Sequence, residues 1–231
     1  KVRSGVNWYS LKSELNTPKS MILYSDPVEG NYEMTTAKDF NLNSDVFLTY
    51  QNTFFGQWNL NATVGGNNRW EEYNYLFATT SGLNVPGFYH LSNSTSDVQA
   101  SNYLRQKLVN SVYGTLNISY KNAIFIGATG RNDWSSALPM ENNSYFYPSV
   151  SLSTVISELV DLPDVIPFFK VRGSWAQVSN DLAVYSTKPV YNDGVNWNSN
   201  ASVYYPSSLL NPDIIPETSR TWEVGSDIRF L

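Results

Sequence analysis

The sequence predicts an all-β protein with about eight or nine readable strands, arranged as an antiparallel transmembrane β-barrel with short turns at one end and long loops at the other. Three observations support this fold class. Several segments alternate strictly between apolar and polar residues, the alternating segments are long, and the connections between them are short and long in turn. Each feature recurs along the chain, so the prediction does not depend on a single segment.

The clearest alternating strands lie at residues 109–131. In the first of them Leu116 and Ile118 fall on an apolar face, opposite a row of Ser, Thr and Asn residues. Residues 121–122 form a two-residue connection to a second alternating strand, so the two strands are predicted to pair antiparallel. Alternation alone is also typical of a soluble β-sandwich, which has one wet face and one buried face.

Strand length favours a membrane protein. A strand of about ten to twelve residues that rises ~3.4 Å per residue and tilts by ~45° covers roughly 24 to 29 Å along the membrane normal, close to the ~25 Å apolar band of an outer-membrane barrel. A typical strand of a globular protein has only about 5 to 6 residues.

The other elements follow from the same pattern. Strands are predicted at residues 2–9, 46–55, 57–64, 145–156, 168–178 and 220–231. Residues 11–44 are predicted as a loop with one strand near residues 32–40, because Pro18, Pro27 and Gly30 interrupt the segment. The run Gly65–Asn68 is predicted to end the strand that begins at Gln57.

The connections differ systematically in length. Short ones are predicted at residues 55–57, 121–122 and 159–167, and longer ones at 69–104, 132–144 and 179–219. Consecutive antiparallel strands send successive connections to opposite ends, so all short turns lie at one end and all longer loops at the other. Membrane barrels have this asymmetry, with short periplasmic turns and long extracellular loops. A sandwich has no physical reason to separate them.

Composition excludes several functional classes. The chain has 231 residues and a net charge of -5, which provides no basic surface for nucleic acid. It has 15% charged and 15% aromatic residues, whereas an ordinary soluble domain has about 25% charged residues. With no cysteine and one histidine, thiolate and multi-histidine metal sites are excluded, and no apolar run is long enough for a transmembrane helix.

Catalytic motifs are weak. A Ser-His-Asp triad would have to use His90, and glycoside hydrolysis would have to use Glu71 with Glu72 or Asp161 with Asp164. Solvated surface charge is the simpler interpretation of those carboxylates. We therefore predict that the protein is not an enzyme and needs no metal or other cofactor.

Aromatic residues in the predicted long loops are the candidates for ligand contact. Exposed rings beside Asn and Ser can stack on sugar rings or hold a peptide, at roughly 1 kcal/mol per aromatic contact. Packing of the loops against one another explains any single ring equally well. The candidates are Trp70, Tyr73, Tyr75, Trp134, Trp197, Tyr204 and Tyr205.

Four motifs resemble those of SusC/RagA-like TonB-dependent transporters. Residues 128–136, ATGRNDWSS, resemble an Arg-x-Asp-Gly-Ser-Ser run that ends a barrel strand, with Trp134 in place of glycine. Residues 147–149, YPS, resemble a Phe-Pro-Ser motif. Residues 171–180, VRGSWAQVSN, resemble Leu-Arg-x-Ser-Tyr-Gly-x-x-Gly-Asn, with Ser179 in place of glycine, and residues 222–227, WEVGSD, resemble a Trp-Glu and a Gly-x-Asp strand. The motifs occur in the family's order.

The resemblance implies that residues 1–231 are a portion of the β-barrel of such a transporter, without its plug domain and its remaining strands. It implies a multi-pass protein of the bacterial outer membrane that imports glycans or oligopeptides and is powered by TonB through the absent plug segment. The implied partners are a SusD-like surface lipoprotein, the glycan or peptide substrate, outer-membrane lipid and a second copy of the transporter complex in a homodimer.

Charged residues on the strands would then line the lumen or contact the plug, because a cation that faces lipid at the midplane costs about 2 to 4 kcal/mol. These residues are Arg131, Lys170, Arg172, Glu223, Asp227 and Arg229. The alternative function is that of a soluble, secreted carbohydrate-binding or adhesive β-sandwich protein.

Overall fold

A computed structural model describes residues 1–19, 29–198 and 200–230 of the chain. The described part is almost entirely β-structure, with two single-turn 3-10 helices at Leu91–Asn93 and Ile156–Glu158. The strands are β1 (Val2–Thr17), β2 (Asn31–Phe54), β3 (Trp58–Thr79), β4 (Gln99–Tyr120), β5 (Ile124–Ser135), β6 (Ser144–Val155), β7 (Phe168–Asn180), β8 (Asn192–Asp193), β9 (Val203–Tyr204) and β10 (Glu217–Arg229).

The long strands form one eight-stranded sheet in the order β1-β2-β3-β4-β5-β6-β7-β10. Strands that follow one another in the chain are therefore neighbours in the sheet, and β4 to β7 and β10 pair antiparallel. The two-residue strands β8 and β9 pair with each other inside the connection between β7 and β10. The predicted all-β antiparallel fold is confirmed.

The chain divides into two compact units. The first comprises Lys1–Ser4, Ser44–Arg69 and Leu108–Leu231, and the second comprises Gly5–Asn43 and Trp70–Lys107. Strands β1 to β4 contribute residues to both units, whereas β5 to β10 belong to the first unit alone.

The predicted tight turns are confirmed at residues 54–57 and between β4 and β5. In the second of these turns Lys121 and Asn122 have positive φ angles of 49° and 55°. The N–H of Ala123 donates to the carbonyl of Tyr120 at 2.9 Å. Two successive residues with positive φ twist a turn in the sense that matches paired strands, so this turn fixes the register of the hairpin.

The sheet of the first unit has one apolar and one polar face. The register places Ile118, Ile126 and Leu152 side by side in one row, and Ser119, Phe125 and Ser153 in the next row on the opposite face. The apolar side chains remain exposed, with Leu152 at 51% of its full accessibility. Among the described strands only the two-residue β8 and β9 lie outside the large sheet, and they are too short to cover this face. The described residues therefore do not form a sandwich.

Several predicted boundaries are wrong because the strands are longer than the alternating pattern. β1 continues past residue 9 to Thr17, and β2 begins at Asn31, so most of the loop predicted at residues 11–44 is strand. Residues 20–28 of that loop, with Pro27, lie outside the described residues, as does Leu231 at the predicted end of the last strand. The loops predicted at residues 69–104 and 132–144 shorten to residues 80–98 and 136–143.

The predicted end of β3 at Gly65–Asn68 is also wrong, because polar contacts carry the strand onward. The amide of Asn67 donates to the Ser44 carbonyl at 3.2 Å and to Asp45 Oδ1 at 2.9 Å, and Asn68 donates to Asn110 Oδ1 at 2.7 Å. Cross-strand hydrogen bonds of this kind hold neighbouring strands together without an apolar face.

Candidate functional site

A groove of about 920 Å³ lies on the polar face of the sheet in the first unit. Asn, Ser, Thr and Gln make up half of its lining residues, and Lys170, Arg172 and Glu223 provide its charges. The guanidinium of Arg172 lies across Gly225, where an added Cβ would be 2.8 Å from Arg172 Nε. Such a groove can hold a polar ligand or a protein segment through amide, hydroxyl and ionic groups.

The register brings the other predicted charged residues to the same face. Asp227 lies opposite Lys170 on the neighbouring strand, and Arg229 lies opposite Phe168. The Cζ atom of Arg229 is 4.8 Å from the centre of the Phe168 ring. Arg131, six positions along β5 from the groove residue Phe125, shares its face by strand alternation.

Arg131 is the centre of a hydrogen-bonded cluster on this face. Its Nε donates to Asp133 Oδ1 at 2.7 Å and its Nη2 donates to Ser111 Oγ at 2.8 Å. The hydroxyl of Tyr147 donates to the second carboxylate oxygen of Asp133 at 2.7 Å, and the Tyr113 ring centre lies 5.9 Å from Arg131 Cζ. The cluster therefore joins β4, β5 and β6 and pairs both oxygens of a carboxylate whose side chain is only 9% exposed.

The two serines that follow in the same motif connect the end of β5 to other segments. Ser135 is fully buried, and its hydroxyl donates to the carboxylate of Asp181, just after β7. The N–H of Ser136 donates to the Leu108 carbonyl at 2.9 Å, and its hydroxyl accepts from the Leu108 N–H at 2.9 Å. The motif that resembled a family signature thus acts as a set of cross-strand ties.

Ser111, Tyr113 and Tyr147 were not predicted from the sequence as members of this cluster. The signal that could have found them is the turn at residues 121–122, which fixes the register. Counting back from that turn places Tyr113 opposite Arg131, and the next hairpin places Tyr147 on the other side.

The predicted loop aromatics are not a single group. The loop placement is wrong for Trp70, Tyr73 and Tyr75, which lie in β3, and for Trp134, which lies in β5, because both strands extend beyond their alternating part. Trp197, Tyr204 and Tyr205 do lie in the connection before β10, where Tyr204 belongs to β9. Trp197 is 81% exposed, and Tyr205 contacts Tyr191 edge to face at 5.7 Å.

A second aromatic group lies on β3 and β4 in the second unit. The rings of Tyr75 and Tyr103 are stacked with centres 4.9 Å apart, and those of Tyr73 and Tyr103 are 5.9 Å apart. The Cζ atom of Arg105 is 4.6 Å from the centre of Tyr73 and 5.4 Å from that of Tyr103. Tyr103 and Arg105 were not predicted as site residues. Tyr103 lies in the loop predicted at residues 69–104, and Arg105 lies between that loop and the hairpin predicted from residue 109.

The part of the chain that the structure describes contains no group of three or more His, Cys, Asp or Glu residues arranged to hold a metal ion. In the same residues, no helix has the length and apolar character needed to cross a membrane.

A single antiparallel meander with one polar face and one exposed apolar face belongs to the class of transmembrane β-barrel walls. A family model described as "TonB dependent receptor-like, beta-barrel" matches residues 2–231. The chain belongs to this family, whose members are outer-membrane transporters and not enzymes. The resemblance and the fold class stated from the sequence are confirmed.

Two curated relatives come from Formosa agariphila. TonB-dependent receptor P26 is 26% identical over 208 residues, which is 85% of this chain and 21% of the relative. TonB-dependent receptor P3 is 25% identical over 195 residues, which is 81% of this chain and 19% of the relative. The chain thus spans about a fifth of the length of these relatives.

Solved structures show the same fold. The RagAB peptide transporter superposes with a TM-score of 0.87 at 16% identity, over 98% of this chain and 26% of the other. The RagAB peptide importer in the open-open state gives a TM-score of 0.84, over 98% of this chain and 25% of the other. At this identity the likeness establishes the fold alone.

Proposed function

We propose that this chain forms part of the barrel wall of an importer of oligopeptides or glycans that spans the outer membrane many times. The importer takes energy from TonB through its plug and works with a SusD-like surface lipoprotein. The observation that carries the proposal is the polar groove, with Lys170, Arg172 and Glu223, on a sheet whose other face is apolar and exposed.

The charged residues support the orientation of the wall. A cation at the midplane on the lipid face costs about 2 to 4 kcal/mol, whereas the same cation on the wet face keeps its hydration. Lys170, Arg172, Glu223, Asp227, Arg229 and Arg131 share the groove's face. We assign that face to the lumen, where these residues contact the plug or the passing substrate.

The proposed mechanism involves binding and movement, without covalent chemistry. Substrate is held between the lipoprotein and the plug, and the plug then rearranges to open the lumen. Amide and hydroxyl groups such as those of Asn117 and Ser153 offer hydrogen bonds along the groove that exchange easily as a plug segment or substrate moves.

Two lines of support bear on the substrate class. The solved structures with this fold are described as a peptide transporter and a peptide importer, which supports oligopeptides. Exposed aromatic rings such as Trp197 and Tyr204, in a connection rich in Asn and Ser, support glycans. No feature of the described residues favours the soluble sandwich, because the apolar face has no second sheet against it.

Cysteine labelling in the intact transporter tests the orientation, since this chain has no cysteine of its own. Ser153→Cys on the groove face is expected to react with a water-soluble maleimide in outer-membrane preparations. Val150→Cys, on the apolar face of the same strand and outside the groove lining, is expected to react only with a lipid-soluble maleimide. Equal reaction of both variants with the water-soluble reagent would overturn the assignment of the lumen face.

Growth experiments test the transport function. A strain that lacks the gene is expected to lose growth on either oligopeptides or glycans as sole carbon source, and a plasmid copy is expected to restore it only when TonB is present. Affinity purification of the transporter is expected to recover a surface lipoprotein. Normal growth on both substrate classes without the gene would contradict the proposal.

A further inference from the structure

The exposed Arg105 side chain, on β4 in the second unit, is held by aromatic rings instead of by an acid. Its Cζ atom is 4.6 Å from the centre of the Tyr73 ring and 5.4 Å from that of the Tyr103 ring. Among the described residues no ion pair or hydrogen bond to its guanidinium is found. Ring contacts leave the N–H donors of a guanidinium available, because the attraction acts through the face of the ring.

The charged residues beside Arg105 on this face have partners of their own. By strand alternation Glu71 shares the face two positions before Tyr73, and Lys107 shares it two positions after Arg105. Both Glu71 and Lys107 make contacts within the structure. Arg105 is therefore the cation of this group whose charge is not matched by a described acid.

Three tyrosine rings pack together beside the guanidinium of Arg105. Tyr75 and Tyr103 stack with ring centres 4.9 Å apart and planes 23° apart, and Tyr73 packs on Tyr103 at 5.9 Å. Contact with the Tyr73 and Tyr103 rings restricts the Arg105 side chain, so less conformational entropy is lost when the guanidinium binds a ligand.

The position of Arg105 along β4 places it on the extracellular side under the proposed function. Arg105 is the seventh residue of β4, which begins at Gln99 directly after the connection at residues 80–98, and the long connections of outer-membrane barrels are extracellular. A group at this height meets substrate before the substrate reaches the lumen.

We propose that Arg105, held on Tyr73 and Tyr103, binds a carboxylate of the imported substrate. The inference rests on the proposed function, because it names a chemical group that the same importer recognises. The two outer edges of a guanidinium match the two oxygens of a carboxylate and make paired charge-assisted hydrogen bonds. Two sources carry this group: the C-terminus or acidic side chains of a peptide, and the uronic acid units of a glycan.

Binding of matched probe pairs to the purified intact transporter tests the inference. The first pair is a fluorescent Gly-Ser peptide with a free C-terminus and the same peptide as its C-terminal amide. The second is a galacturonic acid oligosaccharide and the neutral galactose oligosaccharide of equal length. The variants are Arg105→Gln, Arg105→Lys and the control Arg220→Gln, which changes an exposed arginine on β10 that donates to Gln177 Oε1 at 3.0 Å.

Arg105→Gln is expected to weaken binding of the carboxylate member of one pair by about fivefold, the equivalent of roughly 1 kcal/mol for an exposed ionic contact. Its neutral partner is expected to bind unchanged. Arg105→Lys should lose less affinity than Arg105→Gln, because lysine keeps the positive charge although it lacks the paired N–H groups of the guanidinium. Arg220→Gln should bind all probes as the unchanged protein does. The pair that responds identifies the source of the carboxylate.

Equal weakening of both members, or no weakening of either, would overturn the carboxylate inference. If the intact transporter binds a probe and Arg105→Gln binds it equally well, the inference is wrong and the proposed function is unaffected. If none of the four probes binds, the inference is also wrong, and TonB-dependent growth decides separately on import.

Discussion

The apolar face of the sheet makes Leu116 a sensitive position for a charge. Leu116 lies opposite Ala128 and is 39% exposed. At ~3.4 Å per residue and ~45° tilt it lies roughly 12 Å from the turn at Lys121, about half of the ~25 Å apolar band. Leu116→Lys in the intact transporter is therefore expected to lower the free energy of unfolding by about 2 to 4 kcal/mol.

The adjacent position provides a matched control. Asn117 lies on the opposite face and lines the polar groove, which has room for a longer side chain. Asn117→Lys is expected to change the free energy of unfolding by less than about 1 kcal/mol, since its ammonium stays in water. The assay is urea unfolding of the protein in lipid vesicles, followed by tryptophan fluorescence and by heat-dependent mobility on gels. Equal destabilisation by the two variants, or a larger effect of Asn117→Lys, would refute the assignment of the two faces.

Two further predictions concern packing and charge on the polar face. A Cβ at Gly65 would be 2.6 Å from Tyr113 Cζ, whereas at Gly66 the nearest atom is 3.5 Å away. Gly65→Ala is thus expected to lower the free energy of unfolding, measured in urea, by about 1 to 3 kcal/mol, and Gly66→Ala is expected to lower it much less. An unchanged free energy of unfolding for Gly65→Ala would contradict the close contact between Gly65 and the Tyr113 ring. Arg131→Gln and Asp133→Asn are expected to show a coupling energy of about 1 kcal/mol in a double-mutant cycle. Solvent weakens the ion pair, because the Arg131 side chain is 34% exposed. Strictly additive effects of the two substitutions would rule out the ion pair.

The alternating strands of the first unit were predictable from their residues. β5 begins at Ile124, and β6 and β7 begin within one residue of their predicted starts. Lipid on one side and water on the other impose a two-residue period on any strand between them, so the pattern carries the information directly. The positive φ angles at Lys121 and Asn122 then fix the register from which the faces follow.

The candidate site was only partly predictable. That charged residues such as Lys170 and Arg172 share one face was predictable, because side chains two positions apart on a strand lie on the same side of the sheet. The cluster around Arg131 depends on which residues the register brings together, and Tyr147 lies on a different hairpin from Arg131 and Ser111. The contacts among Tyr73, Tyr75 and Tyr103 form because β3 and β4 continue through residues that the sequence predicted as a loop.

Loss of alternation along β3 has a physical explanation that also bears on function. On one face of this strand the apolar residues Leu60 and Val64 are followed by Asn68 and Glu72, and a charge there would be costly against lipid. Asn68 pairs with Asn110, which precedes the apolar face of β4. We infer that the hydrocarbon ends near this pair of asparagines. Beyond it both faces meet water, so the strands continue on polar hydrogen bonds and the period-two signal disappears although the strands do not end.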